Sequence, residues 1–147
     1  MKPEIQNIID DLKKKFGSEI LNVSEKNDKR ITVDIPGNAI IKISQYLYHD
    51  QYFRFIIASA LQTKKGFEIY YHFSFDSTGL ILNLHVILPE AKPEIESLTV
   101  LFEGASWIER EMHEILGINF LNHPNLEKLI SQGNWAEGVY PYRKEFK

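Results

Sequence analysis

Residues 66–88, GFEIYYHFSFDSTGLILNLHVIL, contain the clearest structural signal in this chain of 147 residues. From Phe67 to Asp76 apolar and polar residues alternate with a period of two, which is typical of a half-buried β-strand. A turn follows at Asp76–Gly79, and leucine or valine then occupies every second position from 80 to 88. The pattern predicts an antiparallel hairpin with one apolar face and one more polar face.

The flanking segments predict further elements, because each carries a start or stop signal. Helices are predicted at 3–16, ended by Gly17, and at Ala105–Leu116, ended by Gly117. Shorter helices are predicted from Asn38 as cap to Tyr48, from Ser97 as cap to Phe102, and briefly after His123-Pro124 to Ile130. Strands are predicted at 20–25, 31–35 and 52–61. We therefore expect an α+β domain over residues 1–133, with an antiparallel or mixed sheet of about five strands flanked by N-terminal and C-terminal helices. An extended C-terminal interaction tail is expected at 134–147.

The composition of the chain excludes several classes of function. A chain of this length with 44% hydrophobic and 25% charged residues is expected to form one globular domain. Its net charge of -3 argues against a nucleic-acid binder. It contains no cysteine, which excludes disulfides, a thiolate nucleophile and Cys-ligated zinc or iron–sulfur clusters. The longest uncharged run, Ser77–Pro89, is too short for a membrane-spanning helix, so we expect a soluble protein or one attached to a membrane only through partners.

Two histidines on the polar face of the hairpin raise the possibility of a metal site. If Phe75 pairs with Leu82, the same register places His72 opposite His85. Two histidines begin a metal site, but catalysis needs a third ligand and an open position. Ordinary sheet-surface histidines are the alternative interpretation.

The helix at 105–116 contains an unusually dense run of ionisable residues, Glu109-Arg110-Glu111-Met112-His113-Glu114. The run lacks the two histidines four apart of a zincin, and Arg110 stands where a Glu-x-x-His motif would need its glutamate. A solvated helix face is the simplest interpretation. Neither a Walker loop nor a Gly-x-Ser-x-Gly nucleophile motif occurs in the chain.

The end of the chain is rich in aromatic and charged residues and has no helical or strand periodicity. Arg143 and Lys144 lie among Tyr140, Tyr142 and Phe146, and large aromatic residues and arginine are enriched in interface cores. We interpret this tail as a segment that lies on a partner surface. The alternative is a tail that folds back onto its own domain.

One arrangement of residues resembles a known family. It consists of Trp107-x-Glu109-Arg110-Glu111-x-x-Glu114-x-x-Gly117-Ile118-x-Phe120, then His123-Pro124, and finally Tyr140-Pro141-x-Arg143-Lys144-Glu145-Phe146. These motifs resemble the 30 kDa subunit family of respiratory complex I, which has related domains in energy-converting NiFe hydrogenases and formate hydrogenlyases.

The resemblance implies a cofactor-free accessory subunit that is not catalytic alone. In this family the domain packs against a large subunit (49 kDa-like or NiFe-hydrogenase-like) beside cluster-bearing small subunits, peripherally on the cytoplasmic face of the membrane. Interface residues would be Trp107, Glu109, Arg110, Glu111, Glu114, His123, Pro124, Tyr140, Pro141, Tyr142, Arg143, Lys144, Glu145 and Phe146. Two other hypotheses remain: a small metal-dependent enzyme that uses His72 and His85, and a free-standing adaptor.

Overall fold

The structure is a computed structural model that describes residues 3–126 and 140–143. The helices and strands in chain order are α1 (Pro3–Phe16), β1 (Asn22–Asn27), β2 (Arg30–Asp34), α2 (Ile40–Gln45), β3 (Arg54–Thr63), β4 (Gly66–Phe75), β5 (Leu80–Leu88), β6 (Glu94–Glu96), α3 (Ala105–Leu116) and β7 (Asn119–Leu121). The bounds of α1 and α3 are those that the sequence predicts. The predicted helical stretch that ends at Ile130 extends into residues outside the described part of the chain.

Five strands form a mixed sheet in the order β1-β2-β5-β4-β3. The hairpins β1–β2, β3–β4 and β4–β5 are antiparallel, whereas β2 and β5 run parallel. The very short strands β6 and β7, which the sequence pattern does not predict, pair in parallel as a separate two-stranded sheet. The expected α+β class and the five-stranded mixed sheet are confirmed.

The core lies on one face of the five-stranded sheet. The alternation in β4 is confirmed, because Phe67, Ile69, Tyr71 and Phe73 are buried in a single cluster. The helices α1, α2 and α3 each contribute inward-facing residues to this cluster. These are Ile5, Ile8, Ile9 and Leu12 of α1, Ile40 and Ile43 of α2, and Ala105, Met112 and Leu116 of α3. The apolar stripe of each helix therefore covers the apolar side of the sheet, as amphipathic periodicity requires.

The segment from Asn38 to Tyr48 is not the single helix that the sequence predicts. It contains a 3₁₀ turn at Gly37–Ala39, the short helix α2 and a π-helical turn at Tyr46–Asp50. The side chain of Asn38 caps neither helix, because Pro36 leads directly into the tight turn and Ala39 takes the N-cap position of α2. The predicted cap was wrong.

The predicted register of the β4–β5 hairpin was also wrong. Phe75 pairs with Leu80, because the amides of Thr78 and Gly79 both donate to the Phe75 carbonyl and close a shorter loop. As a result His72 pairs with Asn83, and His85 pairs with Tyr70.

Candidate functional site

The acidic residues of α3 are divided between the interior and the surface. Glu109 is only 1% exposed and Glu114 is buried, so the simple interpretation of a solvated face is wrong for both. Glu111 is half-buried, and Trp107 is 65% exposed. The helix thus turns two acids inward and presents a large aromatic side chain to the outside.

Glu109 lies at the centre of a buried polar cluster. Its carboxylate accepts hydrogen bonds from Ser97 Oγ (2.5 Å) and from the amide of Leu98 (2.8 Å), and His123 Nε2 lies 3.9 Å from Oε1. Burial raises the pKa of Glu109 to about 7, although the hydrogen bonds from Ser97 and Leu98 oppose this change by favouring the charged form. The carboxyl group is therefore poised between its two charge states near neutral pH.

The cluster joins three segments that are distant in sequence. Ser97 follows β6 and caps the 3₁₀ turn that starts at Leu98. His123 follows β7, and its Nε2 donates to the carbonyl of Ser106 (3.2 Å) while its Nδ1 accepts from the amide of Asn125 (2.9 Å). Burial lowers the pKa of His123, which agrees with a neutral ring in this tautomer. Glu109 and His123 thereby hold the loops on both sides of α3.

A buried tyrosine completes this region. The Tyr71 hydroxyl has no hydrogen-bond partner within the described residues. Its pKa is raised well above the ordinary value, first by burial and then by the negative charge of Glu109. The sequence pattern predicts Ser97 only as a helix cap and Tyr71 only as a residue of the apolar strand face.

The other end of α3 is closed by the described part of the tail. Arg143 Nε donates to the carbonyl of Leu116 at 2.6 Å, and the amide of Tyr142 donates to the carbonyl of Ile115 at 2.9 Å. The Arg143 guanidinium lies 4.6 Å from the ring centroid of Tyr140 and 5.0 Å from that of Phe67. A cation at the C-terminal end of a helix is favoured by the helix dipole, so residues 140–143 pack against their own domain.

Gly117 provides the space for this turn. Its φ of +77° is the left-handed conformation of a helix C-cap, and an added Cβ would lie 2.7 Å from both Arg143 Nη2 and the Tyr140 ring. A residue with a side chain cannot occupy this position unless Tyr140 and Arg143 move.

We expect Gly117→Ala to detach the turn at 140–143 from α3. The rate of trypsin cleavage after Arg143 should rise about tenfold, because proteolysis follows the population of the open form. The control is Gly17→Ala, which has a similar left-handed φ of +55° but open space around the added Cβ. Equal cleavage rates in the wild type and Gly117→Ala would contradict the prediction.

The remaining candidate residues within the described part of the chain lie along the outer side of α3 or next to it. The Arg110 guanidinium lies 5.9 Å from the Trp107 ring centroid, and Pro124 is exposed beside the start of the helix. Pro141 is half-buried, and Tyr142 is 71% exposed. Lys144, Glu145 and Phe146 lie outside the described residues.

The structure separates the two histidines of the metal hypothesis. His72 contacts Asn83 (Nδ1 to Oδ1, 2.6 Å), and His85 lies between Asp34 (2.8 Å) and Glu68 (2.7 Å). Over residues 3–126 and 140–143, no three His, Asp or Glu side chains are grouped as metal ligands. The register change explains why the predicted pairing does not occur.

Comparison with known proteins identifies relatives that match most of the chain. A family model described as the respiratory-chain NADH dehydrogenase, 30 Kd subunit, matches residues 33–147. The chain is 28% identical to the C subunit of the NADH-quinone oxidoreductase of Citrifermentans bemidjiense, over 92% of this chain and 84% of the relative. It is also 28% identical to the C subunit of the F(420)H(2) dehydrogenase of Methanosarcina mazei, over 98% of this chain and 92% of the relative.

A fused relative and two solved structures are also similar to this chain. The chain is 28% identical to the fused C/D subunit of the NADH-quinone oxidoreductase of Buchnera aphidicola, over 95% of this chain and 25% of that longer protein. A chain in the membrane-bound sulfane sulfur reductase, an archaeal respiratory membrane complex, superposes with a TM-score of 0.86 at 19% identity, covering 98% of this chain and 86% of that chain. A trypsin-resistant fragment of Nqo5 superposes with a TM-score of 0.70 at 18% identity, covering 83% of this chain and 98% of that chain. In the part of this chain that the structure describes, no helix has the length and apolar character needed to cross a bilayer.

Proposed function

The chain belongs to the respiratory-chain NADH dehydrogenase 30 Kd subunit family, and from this premise we propose that it is a hydrophilic subunit of a membrane-associated oxidoreductase complex. The family match over residues 33–147 carries this proposal. The subunit scaffolds the large subunit of the complex and lies next to cluster-bearing small subunits. It holds no redox cofactor of its own, in agreement with a sequence that contains no cysteine.

The fused relative supports the large subunit as the partner. In the Buchnera protein, the C and D subunits are parts of one polypeptide, and two domains fused in one organism are natural partners when they are separate in another. The relatives named for NADH and for F(420)H(2) have the same 28% identity to this chain. The proposed scaffold role is common to both.

The geometry supports a positioning role rather than catalysis. The exposed side chains Trp107 and Tyr142 lie at opposite ends of α3, while Glu109 and Arg143 fix the loops and the tail turn that surround the helix. An interface built on a rigid helix orients a partner with little loss of conformational entropy. We place the protein on the cytoplasmic face of the membrane, held there by its partners.

Affinity purification from detergent-solubilised membranes of the native host tests the proposal. A tagged chain should recover the large subunit and the cluster-bearing subunits in equal molar amounts, together with the iron of their clusters. Recovery of the tagged chain alone, from the soluble fraction, would contradict the proposal.

Removal of residues 144–147 tests the contribution of the tail. The contacts of Tyr140 and Arg143 with the domain remain in this variant, so the melting temperature should stay within about 2 °C of wild type. Recovery of the large subunit should fall about fivefold, because Lys144, Glu145 and Phe146 are proposed contact residues. Removal of Lys147 alone is the control, and unchanged recovery in the longer deletion would exclude these residues from the interface.

A further inference from the structure

The two edges of the five-stranded sheet differ in a way that the scaffold role does not explain. An edge strand presents unpaired backbone groups, and proteins ordinarily protect such edges with charges, short strands or bulges. At one edge, β1 is short, has a bulge near Lys26 and consists mostly of exposed polar residues. This edge is protected in the usual manner.

The opposite edge, β3, has a bulge between Phe55 and Ile57 but is neither short nor rich in charged residues. It is ten residues long, and its one charged residue, Arg54, is bound to Asp76 through two hydrogen bonds. Its exposed apolar side chains are Ile56 (42%), Ile57 (48%) and Leu61 (46%). No strand within residues 3–126 and 140–143 pairs with its outer side. A long and apolar edge of this kind is a site for strand addition.

A groove lies directly beside this edge. Phe55, Ile56 and Ile57 of β3 form one wall, and Gly104, Trp107, Ile108 and Glu111 form the other. Its volume of about 270 Å³ has room for one large apolar side chain. A bulge between Phe55 and Ile57 lies at this point of the strand, as bulges often do next to binding sites.

An exposed tryptophan and a carboxylate line the groove. Trp107 is 65% exposed, and tryptophan is prominent among the residues that dominate binding energies at interfaces. The carboxylate of Glu111 lines the groove. This acid favours a partner segment that carries a lysine or arginine near the apolar side chain that enters the groove.

From these observations, and resting on the proposed function, we infer that the β3 edge binds an extended segment from another protein of the same complex. The segment adds to the sheet as a sixth strand beside β3. One large apolar side chain inserts between Phe55 and Trp107, and a Lys or Arg two positions away in the segment meets Glu111. Alternate side chains of a strand share one face, so the residues next to the inserted apolar residue in sequence point away from the groove.

Gly104 offers a variant that fills the groove without disturbing the domain. An added Cβ at Gly104 meets no atom within 4 Å, and its φ of -61° suits any residue. Gly104→Leu should fill the groove and lower recovery of the subunit that supplies the segment, identified by the photocrosslink described below, about tenfold in the membrane purification. Gly104→Ser is the matched control, because serine is small and favoured at a helix N-cap. Equal recovery with leucine and serine would overturn the inference.

Hydrogen exchange tests the added strand itself. Amide exchange of β3 should slow roughly tenfold or more in the assembled complex relative to the isolated chain, while β1 at the other edge provides the internal control. Exchange that slows at neither edge, or equally at both, would overturn strand addition.

Photocrosslinking identifies the occupant. A benzophenone amino acid at position 56, in place of Ile56, should crosslink within the purified complex to a peptide of another subunit that contains an apolar residue close to Lys or Arg. A crosslink between two copies of this chain would overturn the inference by identifying β3 as a homodimer edge. Purification of the wild-type chain without any other subunit would instead contradict the proposed function, so the two failures are distinguishable.

Discussion

Replacing Gly66 with alanine is expected to lower the free energy of unfolding by about 4 kcal/mol, since two costs add at this position. Gly66 starts β4 with a φ of +133°, a conformation that residues with a side chain rarely adopt. An added Cβ would also lie 2.2 Å from the carbonyl oxygen of Leu88, which is a backbone atom of the neighbouring strand. The strand pair must separate locally to admit the methyl group. Urea unfolding at constant m-value measures the loss.

The control for this prediction is Gly79→Ala. Gly79 also has a positive φ, +76°, but the nearest atom to its added Cβ is the flexible Lys29 Nζ at 3.5 Å. Only the backbone strain applies there, and we expect a loss of about 1 kcal/mol. Equal losses in the two variants would show that close approach to Leu88 contributes nothing.

The second large expected effect is a pH-dependent change in the free energy of unfolding caused by Glu109. The pKa of this carboxyl group is raised to about 7 in the folded protein, from 4.5. Below pH 4.5 the group is protonated in both states and causes no penalty. As the pH rises from 4.5 to 7, the unfolded chain ionises first, so stability is lost, and the loss is complete above pH 7. The Glu109→Gln variant has no such titration.

We therefore expect Glu109→Gln to gain stability relative to wild type by about 3 kcal/mol between about pH 4.5 and about pH 7.5. The gain is measured as a difference of unfolding free energies across this range. His123, whose lowered pKa causes stability to be lost as the pH falls, is present in both proteins and cancels in the difference. Glu111→Gln, outside the buried cluster, should give a smaller change. A difference that stays constant with pH would contradict the raised pKa.

Local sequence patterns suffice to predict the ends of both long helices and the two faces of β4. Gly17 and Gly117 end α1 and α3 with left-handed backbones, and both ends are predictable because the signal and the structure are adjacent in the chain. Which residues of β4 lie on which face is equally predictable, because the alternation lies within the strand itself. The register of the β4–β5 hairpin is not predictable from the alternation, since a shift by two residues leaves every side chain on its original face. The pairing of Phe75 with Leu80 is set by the turn, which the alternation does not describe.

The candidate site shows the same division. Ala105, Glu109, Met112 and Leu116 follow one helical stripe, so the inward position of Glu109 is visible in the spacing. Its partners are not visible, because they reach it from segments whose positions depend on β6 and β7; these partners are Ser97, Leu98 and His123. Strands of three residues are too short to display a period. The order of the sheet, with β5 between β2 and β4, is likewise a long-range property.

The parallel pairing of β2 with β5 has a consequence for the synthesis of this protein. Asp34 and His85, which pair across these strands, are 51 residues apart in sequence. The β1–β2 hairpin consequently has no neighbouring strand until β5, which ends at Leu88, has been made. More than half of the polypeptide must leave the ribosome before the sheet is complete. Until then the nascent N-terminal third carries an apolar helix face and a hairpin without a permanent place, which makes it a natural client for chaperones.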